Sequence, residues 1–278
     1  MADAGDVATP DYAAASAPPR IPSRSGSPLR SELVDAQNDG AKRRSSGTAV
    51  CDVHKLGLVE YEDAWQLQRE LAARRAAGEI PDTLLLLEHP PVYTTGKRNA
   101  DANLRLPQDL LGAPLVVSDR GGDITFHGPG QLIAYPIIDL RAAGLGIVSY
   151  VRNLEEVIVR TLRDYGIESG LECGLTGVWA GNDKIAAIGV RVSRTGGASG
   201  AWVTTHGLAL NVDVDLAWFD RIVPCGIADR GVTSMLRLLG DAPALSAVAE
   251  RLVAHFGDVF GREMLQAGEL LISRSAAV

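Results

Sequence analysis

The order of apolar and polar residues predicts strands and helices from about residue 53 onward. Residues 53–61 alternate in the manner of a half-buried strand, and residues 62–78 place apolar side chains near helical spacing before ending at Gly78. Residues 82–89 form a short, almost wholly apolar run. Such a run is typical of a strand that is buried on both faces.

The second half of the chain adds further elements. Residues 147–166 are the clearest helix, because apolar side chains share one face and Gly166 follows as a helix-ending residue. The other predicted elements are strands at 131–140, 177–181, 184–194 and 201–212, and shorter helices near 214–221 and 243–257. Because strands and helices mix without strict alternation, we expect an α/β fold of the mixed α+β type, with a central mixed sheet flanked by helices.

The first 50 residues have a different composition. They are rich in Ala, Ser, Pro, Gly and Asp and lack a sustained apolar period, which predicts a disordered N-terminal extension over residues 1–50 and one folded domain over 51–278. A secretory signal would need an apolar segment that is missing, and a transit peptide would avoid Asp3, Asp6 and Asp11. Since no apolar run approaches the roughly 18 residues of a membrane span, we expect no membrane association.

Charge and cysteine content narrow the function classes. The net charge is −7, and residues 51–278 carry all of it, because the extension holds six basic and six acidic residues. An acidic body does not favour nucleic acid as a partner. The cysteines Cys51, Cys173 and Cys225 are an odd number without paired spacing, and neither CxxC nor HExxH occurs. This pattern predicts neither a disulfide framework nor a metal site, and it fits the reducing cytoplasm.

Cys225 stands between Pro224 and Gly226, which indicates a tight, irregular loop. Core cysteines usually lie inside apolar runs, where the thiol behaves as a small hydrophobic group. Reactive groups are often displayed on loops that a rigid scaffold supports. Cys225 is therefore a candidate nucleophile, and a bystander thiol is the alternative.

Residues 119–131 place four glycines and a proline among Arg120, Thr125 and His127. Successive glycines let the backbone approach a ligand closely and expose N–H groups to it. The segment lacks the GK[ST] ending of a Walker loop and does not follow the GxGxxG pattern, so it does not favour phosphate binding. Because it is also longer than a hairpin turn, we expect it to contact a ligand.

Three other places carry candidate polar groups. Lys184 enters an apolar strand directly after a turn, where partial desolvation would let it exchange a proton near neutral pH; a solvated turn lysine is the alternative. His206 precedes Gly207 at the start of an apolar segment, and a glycine there indicates close approach of a ligand or of another backbone. A purely local hydrogen bond of His206 is the more common alternative. Residues 87–97 form a proline-rich bend that is a candidate wall of a site. A bend outside any site is the alternative.

Four segments, at 120–137, 184–194, 205–212 and 222–234, resemble the signature blocks of the octanoyltransferases of lipoate biosynthesis, also called lipoyl(octanoyl) transferases. The blocks occur in one order, and the resemblance extends from about Val53 to about Phe260. The extension before Val53 lies outside it. Residues 195–202 also depart from the pattern, because that segment is longer than the family leads us to expect.

The resemblance implies a fold similar to that of the biotin and lipoate protein ligases. It implies transfer of an octanoyl group from octanoyl-acyl carrier protein to a lysine of lipoyl domains, those of 2-oxoacid dehydrogenase complexes and the glycine cleavage H protein. By position, Cys225 matches the acyl-accepting cysteine and Lys184 the lysine that tunes it. The matched substrate-binding positions are Arg120, Gly121, Gly122, Asp123, Ile124, Thr125, Phe126, His127, Ala187, Ile188, Gly189, Gly207, Leu208 and Ala209.

A cysteine and a lysine suit the chemistry of such a transfer. A free thiol with a pKa of about 8.5 is only slightly ionised at neutral pH, and a neighbouring lysine can stabilise the thiolate or accept its proton. Exchange between thioesters requires no ATP, so we expect no cofactor. Two alternatives remain: an ATP-dependent lipoate or biotin ligase on the same fold, and a non-catalytic acyl-binding module. Because acidic protein partners are implied, we also expect a basic rim formed by Lys97, Arg98, Arg191 and Arg194.

Overall fold

The computed structural model describes residues 48–96, 103–195, 200–224, 230–268 and 270. The predicted N-terminal extension lies outside these residues as far as residue 47. The first strand begins at Ala49, two residues before the predicted domain boundary. No helix in the described ranges is long and apolar enough to cross a membrane.

Strands and helices follow one another through the described chain, with a 3-10 helix at Leu216–Arg221. The strands are β1 (Ala49–Leu58), β2 (Asp82–Glu88), β3 (Val92–Thr95), β4 (Leu115–Val117), β5 (Thr125–His127), β6 (Gln131–Ile137), β7 (Val178–Ala180), β8 (Asp183–Arg194), β9 (Trp202–Asn211) and β10 (Arg262–Gln266). The helices are α1 (Tyr61–Ala76), α2 (Ile147–Asp164), α3 (Met235–Leu239) and α4 (Leu245–Phe260).

The strands form two sheets. The larger sheet has seven strands in the order β10-β1-β2-β6-β9-β8-β7, and the smaller has three in the order β4-β3-β5. In the larger sheet β1 is parallel to β10 and β2, and the remaining neighbours are antiparallel. The predicted mixed α/β fold with a central mixed sheet is confirmed, whereas the small sheet was not predicted.

Helices cover both faces of the large sheet. In β2, Leu84 and Leu86 pack with α2 and α4, whereas Leu85 and Leu87 pack with α1. Neighbouring residues of a strand point to opposite faces, so a strand between two helical layers must be apolar throughout. The prediction that residues 82–89 are buried on both faces is therefore confirmed for the strand, all of whose residues except Glu88 are buried.

Some sequence predictions need correction at the ends of the domain. The helix predicted near 214–221 is the 3-10 helix Leu216–Arg221, and neither α3 nor β10 was predicted. α3 has five residues, too few for a helical period to show. β10 is an edge strand with largely exposed residues, so its sequence lacks the apolar alternation of a half-buried strand.

Gly189 and Gly207 lie opposite each other in the β8–β9 pair. A Cβ atom on Gly207 would lie 2.1 Å from the carbonyl oxygen of Ala134 in β6, and one on Gly189 would lie 2.8 Å from that of Gly121. Real Cβ atoms do not approach backbone atoms so closely. The two glycines therefore allow neighbouring backbone segments to pack directly against β8 and β9.

Asp82 connects three parts of the domain through its carboxylate. It accepts hydrogen bonds from Arg75 at the end of α1 (2.7 Å) and from Arg262 in β10 (2.9 Å). It also accepts one from the backbone N–H of Asp139 at 3.3 Å. Because the Asp82 side chain is only 3% exposed, each arginine compensates a charge that is withdrawn from water.

We expect Gly207→Ala to lower the free energy of unfolding by more than about 2 kcal/mol, because the new methyl group would overlap the Ala134 carbonyl. Urea unfolding followed by circular dichroism measures the change. Gly170→Ala is the control, since its Cβ meets nothing within 4 Å, and it should change stability by less than about 1 kcal/mol. Equal effects of the two variants would contradict this explanation.

We expect Asp82→Ala to lower the free energy of unfolding by about 3–5 kcal/mol, because two partly buried arginines lose their counter-charge. Glu250→Ala removes the exposed Lys55–Glu250 pair instead and should cost less than about 1 kcal/mol. The same urea titration compares the two variants. A small effect at Asp82 would show that the network contributes little to stability.

Candidate active site

Gly189 and Gly207 line a cavity of about 380 Å³. Its walls come from α1, α2, the glycine-rich loop before β5 (residues 119–124), β5, β6, residues 174–176, β8 and β9. The predicted substrate-binding residues that line it are Arg120, Gly121, Gly122, Asp123, Thr125, His127, Ala187, Ile188, Gly189, Gly207, Leu208 and Ala209. Lys184 lines it as well. Residues that are distant in the sequence thus meet at one place.

Ile124 and Phe126 are the two predicted contacts that the structure does not bring to the cavity. Both are fully buried in the core beneath the small sheet, where Phe126 stacks on Trp218 with ring centroids 4.9 Å apart. Side chains alternate along β5, so Thr125 and His127 face the cavity while Phe126 faces the core. Their direct role is therefore packing.

Arg120 shapes the glycine-rich loop from inside. Its guanidinium donates to Thr94, to the carbonyl of Asp123 at 2.7 Å and to the carbonyl of Gly121 at 3.0 Å. The N–H of Gly121 donates in turn to the carbonyl of Val190 in β8 at 3.0 Å. The loop is thereby held against the edge of β8, where its backbone forms a wall of the cavity.

His206 joins β9 to the same loop. It is buried, has a φ of 57°, and its Nε2 lies 2.8 Å from Asp119, which also forms an ion pair with Arg191 at 2.6 Å. Burial lowers the pKa of His206. Its partner is distant in the sequence, so the contact is not the local hydrogen bond that was one of the two expectations. His206 also lines the cavity.

Lys184 lies at the opposite end of this wall. Its side chain is buried, and Nζ lies 4.8 Å from the ring centroid of Trp179, so Lys184 is not a solvated turn lysine. Its backbone N–H donates to the carbonyl of Gly231 at 2.9 Å, and its carbonyl accepts from Thr233 at 3.0 Å. β8 is therefore hydrogen-bonded to the chain that follows the predicted nucleophile loop.

Cys225 belongs to residues 225–229, which lie outside the described residues. The chain before them is attached at Val223, whose N–H donates to the carbonyl of Asn103 at 2.8 Å. The Asn103 side chain donates to Asp123 of the cavity wall at 2.9 Å. After the segment, the carbonyl of Gly231 accepts the hydrogen bond from the backbone N–H of Lys184. Both flanks of the segment are thus tied to residues that line the cavity.

Two tyrosines of the cavity wall were not predicted. Tyr135 lines the cavity, and its hydroxyl lies 2.8 Å from Nε2 of the buried His89. Because Nδ1 of His89 faces the carbonyl of Val59, which can only accept, Nδ1 carries the proton and Tyr135 donates to Nε2. Burial lowers the pKa of His89 to about 4 and raises that of Tyr135. Tyr61 has no sequence signal, since it opens an ordinary helix.

The bend at residues 87–97 has a supporting role. His89 lies behind Tyr135, and Tyr93 is buried in the core of the small sheet. Glu88 accepts the N–H of Gly130 in the glycine-rich segment at 2.7 Å. None of these three side chains lines the cavity within the part of the bend that the structure describes.

The predicted basic rim is only partly described. Lys97 and Arg98 lie outside the described residues. Arg191 is paired with Asp119, and Arg194 stacks on Trp202 with its guanidinium carbon 4.1 Å from the ring centroid. The charge of Arg191 is therefore already shared with Asp119.

The cavity is chemically divided. Val151, Leu175, Ile188 and Leu208 supply apolar surface, whereas Asp123, Thr125, His127 and Lys184 supply polar groups. Within the described residues, no group of three or more His, Cys, Asp or Glu side chains is arranged to hold a metal ion. The lining therefore offers a ligand both apolar surface and hydrogen-bonding groups.

Known proteins are similar to this chain in sequence and in fold. An octanoyltransferase of Chloroflexus aurantiacus is 55% identical over 216 residues, which cover 76% of this chain and 94% of the relative. A mitochondrial octanoyltransferase of Arabidopsis thaliana is 48% identical over 215 residues, covering 75% of this chain and 88% of its own.

Solved structures of lipoate protein ligases resemble this one at low sequence identity. Lipoate-protein ligase A bound with ATP has a TM-score of 0.58 at 16% identity, covering 80% of this chain and 89% of its own. A bipartite lipoate protein ligase from Thermoplasma acidophilum has a TM-score of 0.60 at 16% identity, covering 79% and 86%. These similarities show the fold.

The family described as the lipoyl protein ligase A/B catalytic domain matches residues 60–257, a range that contains every strand and helix lining the cavity. With the identity to the octanoyltransferases, this match shows that the chain belongs to the lipoyl protein ligase A/B family, on its octanoyltransferase branch.

Proposed function

We propose that this protein transfers an octanoyl group from octanoyl-acyl carrier protein to a lysine of lipoyl domains, through a thioester on Cys225 that Lys184 helps to form. The acceptors would be the lipoyl domains of 2-oxoacid dehydrogenase complexes and the glycine cleavage H protein. The observation that carries the proposal is the buried Lys184, which lines the cavity and is hydrogen-bonded to the chain just after Cys225.

The first half-reaction moves the acyl group to the enzyme. The Cys225 thiol gives its proton to the Lys184 amine, and the thiolate attacks the carbonyl carbon of the donor thioester. The bond to the carrier's sulfur breaks, and that sulfur takes up the proton. One thioester replaces another, so the step needs no ATP.

The second half-reaction forms the amide. The amine of the acceptor lysine attacks the carbonyl carbon of the acyl-enzyme, and the bond to the Cys225 sulfur breaks. One amine proton is lost, and Lys184 can pass it to the departing thiolate. Backbone N–H groups of the glycine-rich walls are the candidates for stabilising the oxyanion.

The apolar part of the cavity supports a medium-length acyl chain as the transferred group. Val151, Leu175, Ile188 and Leu208 are distributed over α2, the 174–176 segment, β8 and β9, so a chain can be enclosed on several sides. Burial of each methylene contributes about 0.8 kcal/mol. A closed pocket thus discriminates between chains by the number of methylenes that it can cover.

Two other functions fit the fold. An ATP-dependent ligase would form an acyl-adenylate and would need no nucleophilic cysteine, and a non-catalytic acyl-binding module would need neither Cys225 nor Lys184. The thiol and the buried lysine together favour the acyltransferase. The acyltransferase reaction is also the one that the names of the relatives describe for those proteins.

Mixing the protein with octanoyl-acyl carrier protein is expected to add the mass of one octanoyl group to the intact enzyme. Because the acyl group would be held on the thiol, Cys225→Ser should not gain this mass, whereas Cys173→Ser, at an exposed cysteine, should. Intact-mass spectrometry without ATP makes the measurement. Acylation that requires ATP would favour the ligase, and unchanged acylation of Cys225→Ser would remove this residue from the mechanism.

Lys184→Ala should slow acylation at pH 7 by roughly 100-fold, because the thiol then loses its proton acceptor. The rate should recover partly above about pH 8.5, where an unassisted thiol ionises in solution. Rapid-quench rates between pH 6 and pH 9.5 test this. Lys55→Ala, at an exposed lysine, serves as the control. An undiminished rate for Lys184→Ala at pH 7 would exclude this role.

A further inference from the structure

A chain of buried side chains connects His127 in the cavity to the segment beside Lys184. Nδ1 of His127 lies 2.7 Å from Oε1 of Gln131, and Nε2 of Gln131 lies 2.8 Å from Oδ1 of Asn211. Nδ2 of Asn211 lies 2.9 Å from the carbonyl oxygen of Thr233. The N–H of Thr233 donates to the carbonyl of Lys184 at 3.0 Å.

The carbonyl of Thr233 sets the direction of every bond in this chain. A carbonyl oxygen can only accept, so the Asn211 side chain must present its NH₂ group to it and its oxygen to Gln131. Gln131 must then donate with its own NH₂ group, which leaves its oxygen facing His127. Nδ1 of His127 is therefore the protonated nitrogen, and Nε2 carries a lone pair.

The surroundings of His127 keep it neutral. Burial lowers the pKa of His127 to about 3, and the nearby His89, with its ring centroid 5.9 Å away, acts in the same direction. Tyr61 from α1 and His89 from the bend lie against the ring, and the charges of Arg120 in the glycine-rich loop and His206 in β9 also lower its pKa. Nε2 has no partner among the described residues, and His127 lines the cavity.

Hydrogen bonds and strand pairing link His127 to the segment beside Lys184. Gln131, which holds His127, pairs with Asn211, and Asn211 is bonded to the segment paired with Lys184. His206, by comparison, is opposite Val190, six residues along β8 from Lys184, or about 20 Å of strand. Of these two histidines of the wall, His127 is the one whose hydrogen bonds lead to the segment paired with Lys184.

We propose that Gln131 and Asn211 are positioning residues that hold His127 with its Nε2 as a fixed hydrogen-bond acceptor for the amine N–H of the acceptor lysine. This inference rests on the proposed function. An atom that only accepts can bind an N–H or O–H group of a ligand. The acyl chain and its thioester contain none, whereas the attacking amine keeps two N–H groups while its lone pair forms the new bond.

The bond to His127 would orient the amine without taking its proton. The amine nitrogen attacks the thioester carbonyl, the carbon–sulfur bond breaks, and one amine proton goes to the departing thiolate, either directly or through Lys184. A neutral imidazole that resists protonation suits this task, because it remains an acceptor throughout the reaction. His127 is then a catalytic contact, and Gln131 and Asn211 act through it.

The tautomer can be observed directly in the wild-type protein. ¹⁵N NMR of the histidine-labelled enzyme distinguishes a protonated from an unprotonated ring nitrogen, and a His127→Gln variant assigns the signal. We expect Nδ1 to be protonated and Nε2 to be unprotonated from pH 5 to pH 9. A proton on Nε2, or a titration of this ring between pH 6 and pH 7, would overturn the inference.

Gln131→Glu tests the functional consequence. A carboxylate beside Nδ1–H favours the imidazolium form, in which Nε2 becomes a donor and can no longer accept the amine N–H. Starting from the isolated acyl-enzyme, transfer to a lipoyl domain should fall roughly tenfold at pH 6 and recover toward pH 9. Gln131→Met, similar in size and neutral, should lower the rate by the same factor at every pH.

The outcomes separate the two proposals. If the wild-type enzyme forms no acyl-enzyme, the proposed function fails. If it does, but Gln131→Glu and Gln131→Met lose the same rate at all pH values, then Gln131 only supports packing and the inference fails. Measuring acylation of both variants by intact mass shows whether the defect is confined to the second half-reaction, as we expect.

Discussion

Gly189 and Gly207 face each other across β8 and β9, and neither position has room for a side chain. Because both lack a Cβ atom, β6 can lie close to β9 at Gly207, and the glycine-rich loop can lie against β8 at Gly189. This close backbone packing brings together the segments that line the cavity. A side chain at either position would displace a wall of the site.

The protonation states of the polar groups around the cavity are set by burial more than by charge pairs. His89 and His127 are kept neutral because a charged imidazole would lose its hydration, and fixed partners assign their tautomers. Their hydrogen bonds lead outward to backbone carbonyls, at Val59 and, through two side-chain amides, at Thr233. The orientation of the acceptor and donor atoms in the cavity is therefore set by the folded backbone before any ligand binds.

The local sequence pattern predicted much of the fold, because the spacing of apolar residues follows which side chains are buried. The double-faced burial of β2 and the single apolar face of α2 follow from spacing alone. α3 is too short and β10 too exposed to show a period, so both were missed. At the site, Lys184 and the glycine-rich loop were predicted from local sequence and family likeness. Asp119 and Tyr61 were not predicted, since their roles depend on partners far away in the chain. The position of Cys225 remains a prediction.

The apolar strand β2 has a consequence for how this chain must fold. Thr83 to Leu87 are largely apolar and uncharged, and in the native sheet both edges of the strand are occupied, by β1 and by β6. In a nascent or partly unfolded chain the same segment could stack with its copies and seed aggregates. Asp82 and Glu88 flank it as charged gatekeepers, and in the folded protein each is held by a hydrogen bond to a distant backbone N–H. The two residues thus oppose aggregation before folding and stabilise the domain afterwards.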